Sequence, residues 1–273
     1  MTAYSLTRSS QRDYLDDHIR DVPTFRALLR AVECRLFEEA GPLTDPVLDL
    51  GCGDGHYATI AFSTPLLVGI DPEAAMVREA HQRGAYRHAI VASATEMPFP
   101  SAFFNSVIAN CVVEHIPDIE TVLSETARVL RPGGRFIFGV PSENFTRMLL
   151  VPKLLRAAGL EEAAQEYGNW FNAHSQHFHT DSPTVWLERL TRHGFKVEHH
   201  EYYISEEAHQ LFDVLHYLSV PRLISRKLTG RWTAFENPAS QALFNALLRP
   251  HYDQPPPAQG AYIFFHARKQ ARL

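Results

Sequence analysis

The feature that most constrains this 273-residue chain is the run Val47-Leu48-Asp49-Leu50-Gly51-Cys52-Gly53-Asp54-Gly55-His56: a short apolar strand, a glycine turn, then a helix. From Pro46 onward the same rhythm recurs, each short apolar run being followed by turn residues and a segment of helical period. That alternation belongs to a parallel sheet built from βαβ units. Seven strands are expected: Val47–Leu50, Leu67–Ile70, Ala89–Ala92, Ser106–Ala109, Arg135–Val140, Lys196–Ile204 and Ala261–Ala267. The expected fold class is α/β, a Rossmann-like doubly wound, seven-stranded, mostly parallel sheet with helices on both faces.

Helix signals fill the gaps. Asp21 and Pro23 are expected to open a helix whose Phe25, Leu28, Leu29, Val32, Leu36 and Phe37 keep helical spacing as far as Gly41. Pro72 opens a second that runs to Gly84, and Pro117 a third that Arg131-Pro132-Gly133-Gly134 stops. A fourth starts at Ser182-Pro183, turns Trp186 and Leu190 inward, and ends at Gly194.

A hydrophobic share of 45% against 21% charged residues supports a globular chain with one large core. The formal charge of -5 gives phosphate backbones no general attraction, so nucleic acid is not an expected partner. Cys34, Cys52 and Cys111 are odd in number and lack C-x-x-C spacing, which argues against a disulfide framework or a structural zinc site. The first twenty residues carry no signal-peptide core, and no stretch approaches the roughly eighteen uninterrupted apolar residues of a membrane span. The expected compartment is the cytoplasm.

Gly51 and Gly53 let a backbone approach a ligand lying over the strand ends. Asp71 ends the next strand twenty residues past Gly51, the spacing at which a carboxylate reaches ribose hydroxyls. Two blander readings stand beside these: a tight turn with no ligand, and an Asp that merely caps the helix opened by Pro72.

Five ordered motifs together resemble the class I S-adenosylmethionine-dependent methyltransferases of the small-molecule, type 11-like subgroup. They are Asp49-Leu50-Gly51-Cys52-Gly53-Asp54-Gly55, Gly69-Ile70-Asp71, Ala94-Thr95-Glu96-Met97-Pro98-Phe99, Val112-Val113-Glu114-His115-Ile116-Pro117-Asp118 and Arg128-Val129-Leu130-Arg131-Pro132-Gly133-Gly134. The resemblance spans about residues 47 to 140 and implies an antiparallel last strand. It implies that Asp49, Gly51, Cys52 and Gly53 hold the methionine end of S-adenosyl-L-methionine, leaving S-adenosyl-L-homocysteine as product. Asp71, followed by Pro72, would accept from both ribose hydroxyls, and Ala94 and Thr95 would line the adenine. Ser93 stands where many relatives carry Asp, so a hydroxyl must replace that contact. Asn110 would offer its carbonyl to the ammonium group beside Cys111, and Tyr14 would fold over the cofactor.

A nicotinamide oxidoreductase is the remote alternative, but its G-x-G-x-x-G fingerprint is broken here, the third glycine arriving one residue early with His56 behind it. A cofactor-binding protein that transfers no methyl is the rival from another class.

His115, His174, His177 and His179 are candidates for a general base acting on an acceptor hydroxyl. The bland reading is that these imidazoles satisfy backbone groups or lie exposed. Glu114-His115 with the later histidines also resembles metal-dependent O-methyltransferases that carry E-x-x-E-H, but Cys111 replaces the first Glu, so no metal is expected.

The chain is expected to be a single methyltransferase domain. Residues 1–45 form a helical cap, 46–140 the cofactor core, 141–180 and 205–260 lid insertions, and 181–204 and 261–273 the final strands. The second insertion, rich in apolar residues from Leu211 to Ile224 and in cations from Arg222 to Arg231, reads as a helical cap against the domain or a second subunit. The sharper reading is an apolar pocket, or peripheral membrane contact through 211–232, for a greasy acceptor. The expected reaction is methyl transfer to an oxygen of an apolar or amphiphilic small molecule.

Overall fold

Successive residues along the central strands are buried on opposite faces, which only a sheet covered on both sides can satisfy. The computed structural model describes residues 12–22, 24–218 and 238–271. Helices α1 (Tyr14–Asp21) and α2 (Thr24–Glu39) precede β1 (Val47–Leu50), α3 (His56–Ala61), β2 (Leu66–Asp71), α4 (Ala74–Arg83) and β3 (Tyr86–Val91). Then come β4 (Phe104–Asn110), a 3-10 turn (Val113–His115), α5 (Ile119–Val129) and β5 (Leu130–Pro141). Helices α6 (Leu150–Ala157), α7 (Glu161–His174) and α8 (Pro183–Arg192) lead to β6 (Phe195–Tyr203), α9 (Glu206–Leu218), α10 (Pro238–Tyr252) and β7 (Tyr262–Lys269).

The sheet has seven strands in the order β3-β2-β1-β4-β5-β7-β6, with β7 antiparallel to both neighbours. The α/β class, the two covered faces and the antiparallel last strand are therefore as expected. Leu48, Val107, Ala109 and Phe138 pack with Val122, Leu123, Trp186 and Leu190 on one face. Val47, Ile108, Ile137 and Phe264 pack with Leu28, Val32 and Leu36 on the other.

Several boundaries differ from expectation. Asp21 closes α1 instead of opening α2; α1 is capped by Asp13, which accepts from Leu15 N at 3.1 Å, and Pro23 lies outside the described residues. Asp118, not Pro117, caps α5, accepting from Thr121 N at 3.1 Å. β3 starts at Tyr86 because Arg87 and His88 are exposed on an edge strand, so no apolar run announces it. Arg131-Pro132-Gly133-Gly134 ends the helix, yet it does so inside β5, whose Leu130 already pairs with Phe104 across a register shift.

The two long insertions form one layer. Asp213 on α9 accepts from Leu150 N at 3.0 Å and Val151 N at 3.3 Å, so the second insertion caps the first helix of the other. The part of the expected lid from Val220 to Trp232 lies outside the described residues. No described helix is long and apolar enough to cross a membrane.

Candidate functional site

The turn after β1 is built around a close approach. Gly51 sits at φ +67°, and a Cβ there would lie 2.5 Å from both methyls of Val112, so only glycine lets the β4 exit pack flush on the turn. Gly53, at φ +52°, faces open space. The side-chain direction is thus open at Gly53 and filled by Val112 at Gly51.

Asp71 joins this turn to β2. Its Oδ2 accepts from Gly53 N at 3.0 Å and its Oδ1 from Glu73 N at 2.9 Å. The residue at the N-cap of α4 is Glu73, so capping does not explain Asp71. A carboxylate has about four lone-pair sites, and the half-buried Asp71 keeps two for a ligand.

Asp49 points elsewhere. It is buried, its Oδ2 accepting from Tyr86 Oη at 2.6 Å. Gly69, its partner on β2, lacks the Cβ that would meet the Tyr86 ring at 2.8 Å, and this gap lets the phenol reach across. Burial pushes the Asp49 carboxyl up to about 7, with Asp71 adding to the rise and Tyr86 opposing it. Burial likewise raises the Cys52 thiol.

Past β3, Ser93 Oγ lies 2.7 Å from Thr95 Oγ1 and accepts from Thr95 N at 3.2 Å, folding the segment into a tight turn that buries Ala94. Pro72 lies exposed between Asp71 and Glu73. The expectation for Tyr14 is corrected: it is buried on α1, lining a pocket with Phe37, Val47, Phe62 and Leu66 at the amino ends of the strands, away from the glycine turn.

At the exit of β4 lies a polar hub that sequence reading missed. Glu33 on α2 is fully buried and accepts from Arg30 at 2.7 Å, Asn110 Nδ2 at 2.7 Å, Cys111 Sγ at 3.0 Å and Tyr203 Oη at 3.1 Å. Cys111 takes φ +53°, a conformation that costs a non-glycine residue about 1 kcal/mol or more. The one signal that could have exposed Glu33 is its place on the apolar face of α2, next to Leu29 and Val32, where a carboxylate is out of pattern.

Beyond the hub the structure separates the four histidines. His115 and His177 come together, ring centroids 5.2 Å apart, beside the buried Glu114, whose Oε1 lies 3.7 Å from His115 Nε2. His115 Nδ1 is 3.2 Å from the Gln176 carbonyl, which can only accept, so Nδ1 carries the hydrogen and Nε2 keeps its lone pair. Burial lowers both histidines, His177 to about 4, and raises Glu114 to about 8. His179 is instead spent on the Ile116 and Pro117 carbonyls at 3.0 and 3.3 Å, and His174 stacks on the half-exposed Trp170. Neither joins the cluster.

Comparison with known proteins fits this geometry. Residues 48–138 match the model of a methyltransferase domain. Over 130 residues the chain is 38% identical to a 27-O-demethylrifamycin SV methyltransferase of Amycolatopsis mediterranei, covering 44% of each chain. Over 115 residues it is 30% identical to a demethylmenaquinone methyltransferase of Symbiobacterium thermophilum, covering 38% of this chain and 46% of that one. The chain thus spans under half the length of these curated relatives. The fold matches that of an S-adenosylmethionine-dependent methyltransferase, a possible histamine N-methyltransferase, from Thermotoga maritima, with TM-score 0.54 and 15% identity over 90% of this chain and 91% of that one. Residues 48–138 thus match a methyltransferase domain, and the fold around them is the Rossmann-like fold of the methyltransferase from Thermotoga maritima.

Proposed function

We propose that the protein transfers a methyl group from S-adenosylmethionine to an oxygen of an apolar or amphiphilic small molecule. The observation that carries the cofactor half is the bond between Asp71 Oδ2 and Gly53 N, which makes the acid and the bare turn one unit at the carboxyl ends of β1 and β2. The free lone pairs of Asp71 accept from the ribose hydroxyls, Pro72 borders them, and Ser93, Ala94 and Thr95 wall the adenine. Gly51, Cys52 and Gly53 line the methionine end, with Asn110 and Cys111 opposite. Asp49 supports the turn from beneath, through Tyr86.

The cofactor supplies a methyl group already activated on sulfonium, so the chain's task is to place a nucleophile in line and take its proton. His115 suits that task, since its Nε2 lone pair is free and burial keeps the ring neutral near pH 7. His177, lowered to about 4, is the weaker base. An oxygen acceptor is favoured by the rifamycin-acting relative, whose name places its methyl on an oxygen. The apolar insertion layer suits a greasy molecule. Calorimetry with adenosylmethionine, adenosylhomocysteine and NAD tests the reading: the first two are expected to bind and NAD to stay silent. Binding of NAD alone would sink it.

A second reading has its own observation. The ligand atoms of Glu114, His115 and His177 lie within 4.8 Å of one another, and the buried Glu114 Oε2 and His177 Nδ1 have no hydrogen-bond partner. Two imidazoles and one carboxylate fit a divalent cation, which would polarise the acceptor oxygen. Elemental analysis of protein purified without chelator is expected to show one divalent ion per chain under this reading. A metal-free protein that turns over in chelator leaves His115 as the base.

A further inference from the structure

We propose that Glu33 is the positioning residue of the β4 exit, holding Asn110 and Cys111 in the conformation that borders the cofactor groove. The inference rests on the cofactor reading above and adds a residue outside the matched domain.

Glu33 is a fully buried carboxylate, a cost that a helix needing only to pack would avoid. Glu33 is kept because four donors from three elements converge on it: Arg30 on α2 and Asn110 on Oε2, Cys111 and Tyr203 on Oε1. Two of these donors belong to the exit itself. A carboxylate only accepts, so the Asn110 amide must present Nδ2 to it, which turns Oδ1 away. That oxygen is buried without a hydrogen-bond partner on the side of Gly139, so the amide is oriented by Glu33 alone. Cys111 is held in its left-handed backbone from both sides, by Gly139 O accepting from its amide at 3.0 Å and by Glu33 accepting from its thiol. The next residue, Val112, is the one packed flush on Gly51. Release of the Cys111 turn therefore shifts Val112 and the glycine turn with it.

The test uses Glu33→Gln, an isosteric change that removes the charge. Adenosylhomocysteine affinity is expected to fall about tenfold, and the melting temperature to fall too, because the new NH2 faces two of the former donors. Hydrogen exchange of the peptide spanning residues 110–113 is expected to accelerate, with the β5–β7 peptides unchanged. Adding Cys111→Gly, which relieves the left-handed strain, is expected to recover most of the lost affinity; a role in packing alone predicts no rescue. Tyr203→Phe deletes one donor and serves as the milder variant should Glu33→Gln not fold, with an expected loss of about threefold. Wild-type affinity in Glu33→Gln, or a double variant as weak as the single, overturns the proposal. Failure of the unmutated protein to bind adenosylhomocysteine would instead strike the cofactor reading. The exchange comparison needs no ligand, and unchanged exchange at 110–113 would still refute the role of Glu33.

Discussion

Replacing Asp49 with asparagine is expected to stabilise the protein at pH 8 by about 2 kcal/mol and to destabilise it near pH 4 by about as much. The carboxyl titrates near 7 in the fold, against an ordinary value of 3.8. A raised pKa means that the folded state binds the proton more tightly than the unfolded chain. The stability linked to that proton is complete below about 4 and is lost as pH climbs through 7. Each pH unit in that window is worth about 1.4 kcal/mol, which sets a ceiling of about 4 kcal/mol. Asparagine keeps an oxygen for Tyr86 but buries an unpaired NH2, at a cost of about 1–3 kcal/mol, so roughly half the ceiling survives. Thermal melts of both proteins from pH 4 to 9 would show the variant less stable at pH 4, the difference changing sign between about 4 and 7 and then staying constant. A gap independent of pH would mean that Asp49 does not titrate in this window.

The second large effect concerns Asp71. Asp71→Ala is expected to weaken adenosylhomocysteine binding by about 1–3 kcal/mol, through loss of charge-assisted bonds to the ribose and release of Gly53 N. Calorimetry reads the affinity. The melting temperature separates loss of the ligand contact from loss of the turn, since Glu73 N is also freed. Asp71→Asn, which keeps an acceptor for one amide, is expected to fall between the two. Wild-type affinity in Asp71→Ala would remove the residue from the site.

What the sequence made legible was local. Val47 to Leu50 followed by three glycines within five residues announces a strand and its turn because such a run has few other ways to fold. Ser182-Pro183 opens α8 at the expected place because a capping hydroxyl and a proline act within one turn, Ser182 Oγ accepting from Val185 N. Local pattern does not announce β3, where edge exposure replaced the apolar run, or the place of Tyr14, which depends on how α1 packs.

The site divides in the same way. Asp71 and the glycine turn lie on adjacent parallel strands, so their twenty-residue spacing carried the information. Glu33 meets Cys111 across 78 positions and Tyr203 across 170, and no local pattern encodes such a meeting. The four histidines show it most directly. Sequence could only offer all four as candidates, whereas the fold sends His179 to backbone carbonyls and His174 to Trp170, and gathers His115 and His177 around a buried acid. The sequence by itself determined the strand order's building blocks and the acid-and-turn pair, because backbone propensity and spacing along adjacent strands are short-range. Only the tertiary structure decided which polar groups lose water together, because burial and partner choice depend on elements distant in the chain.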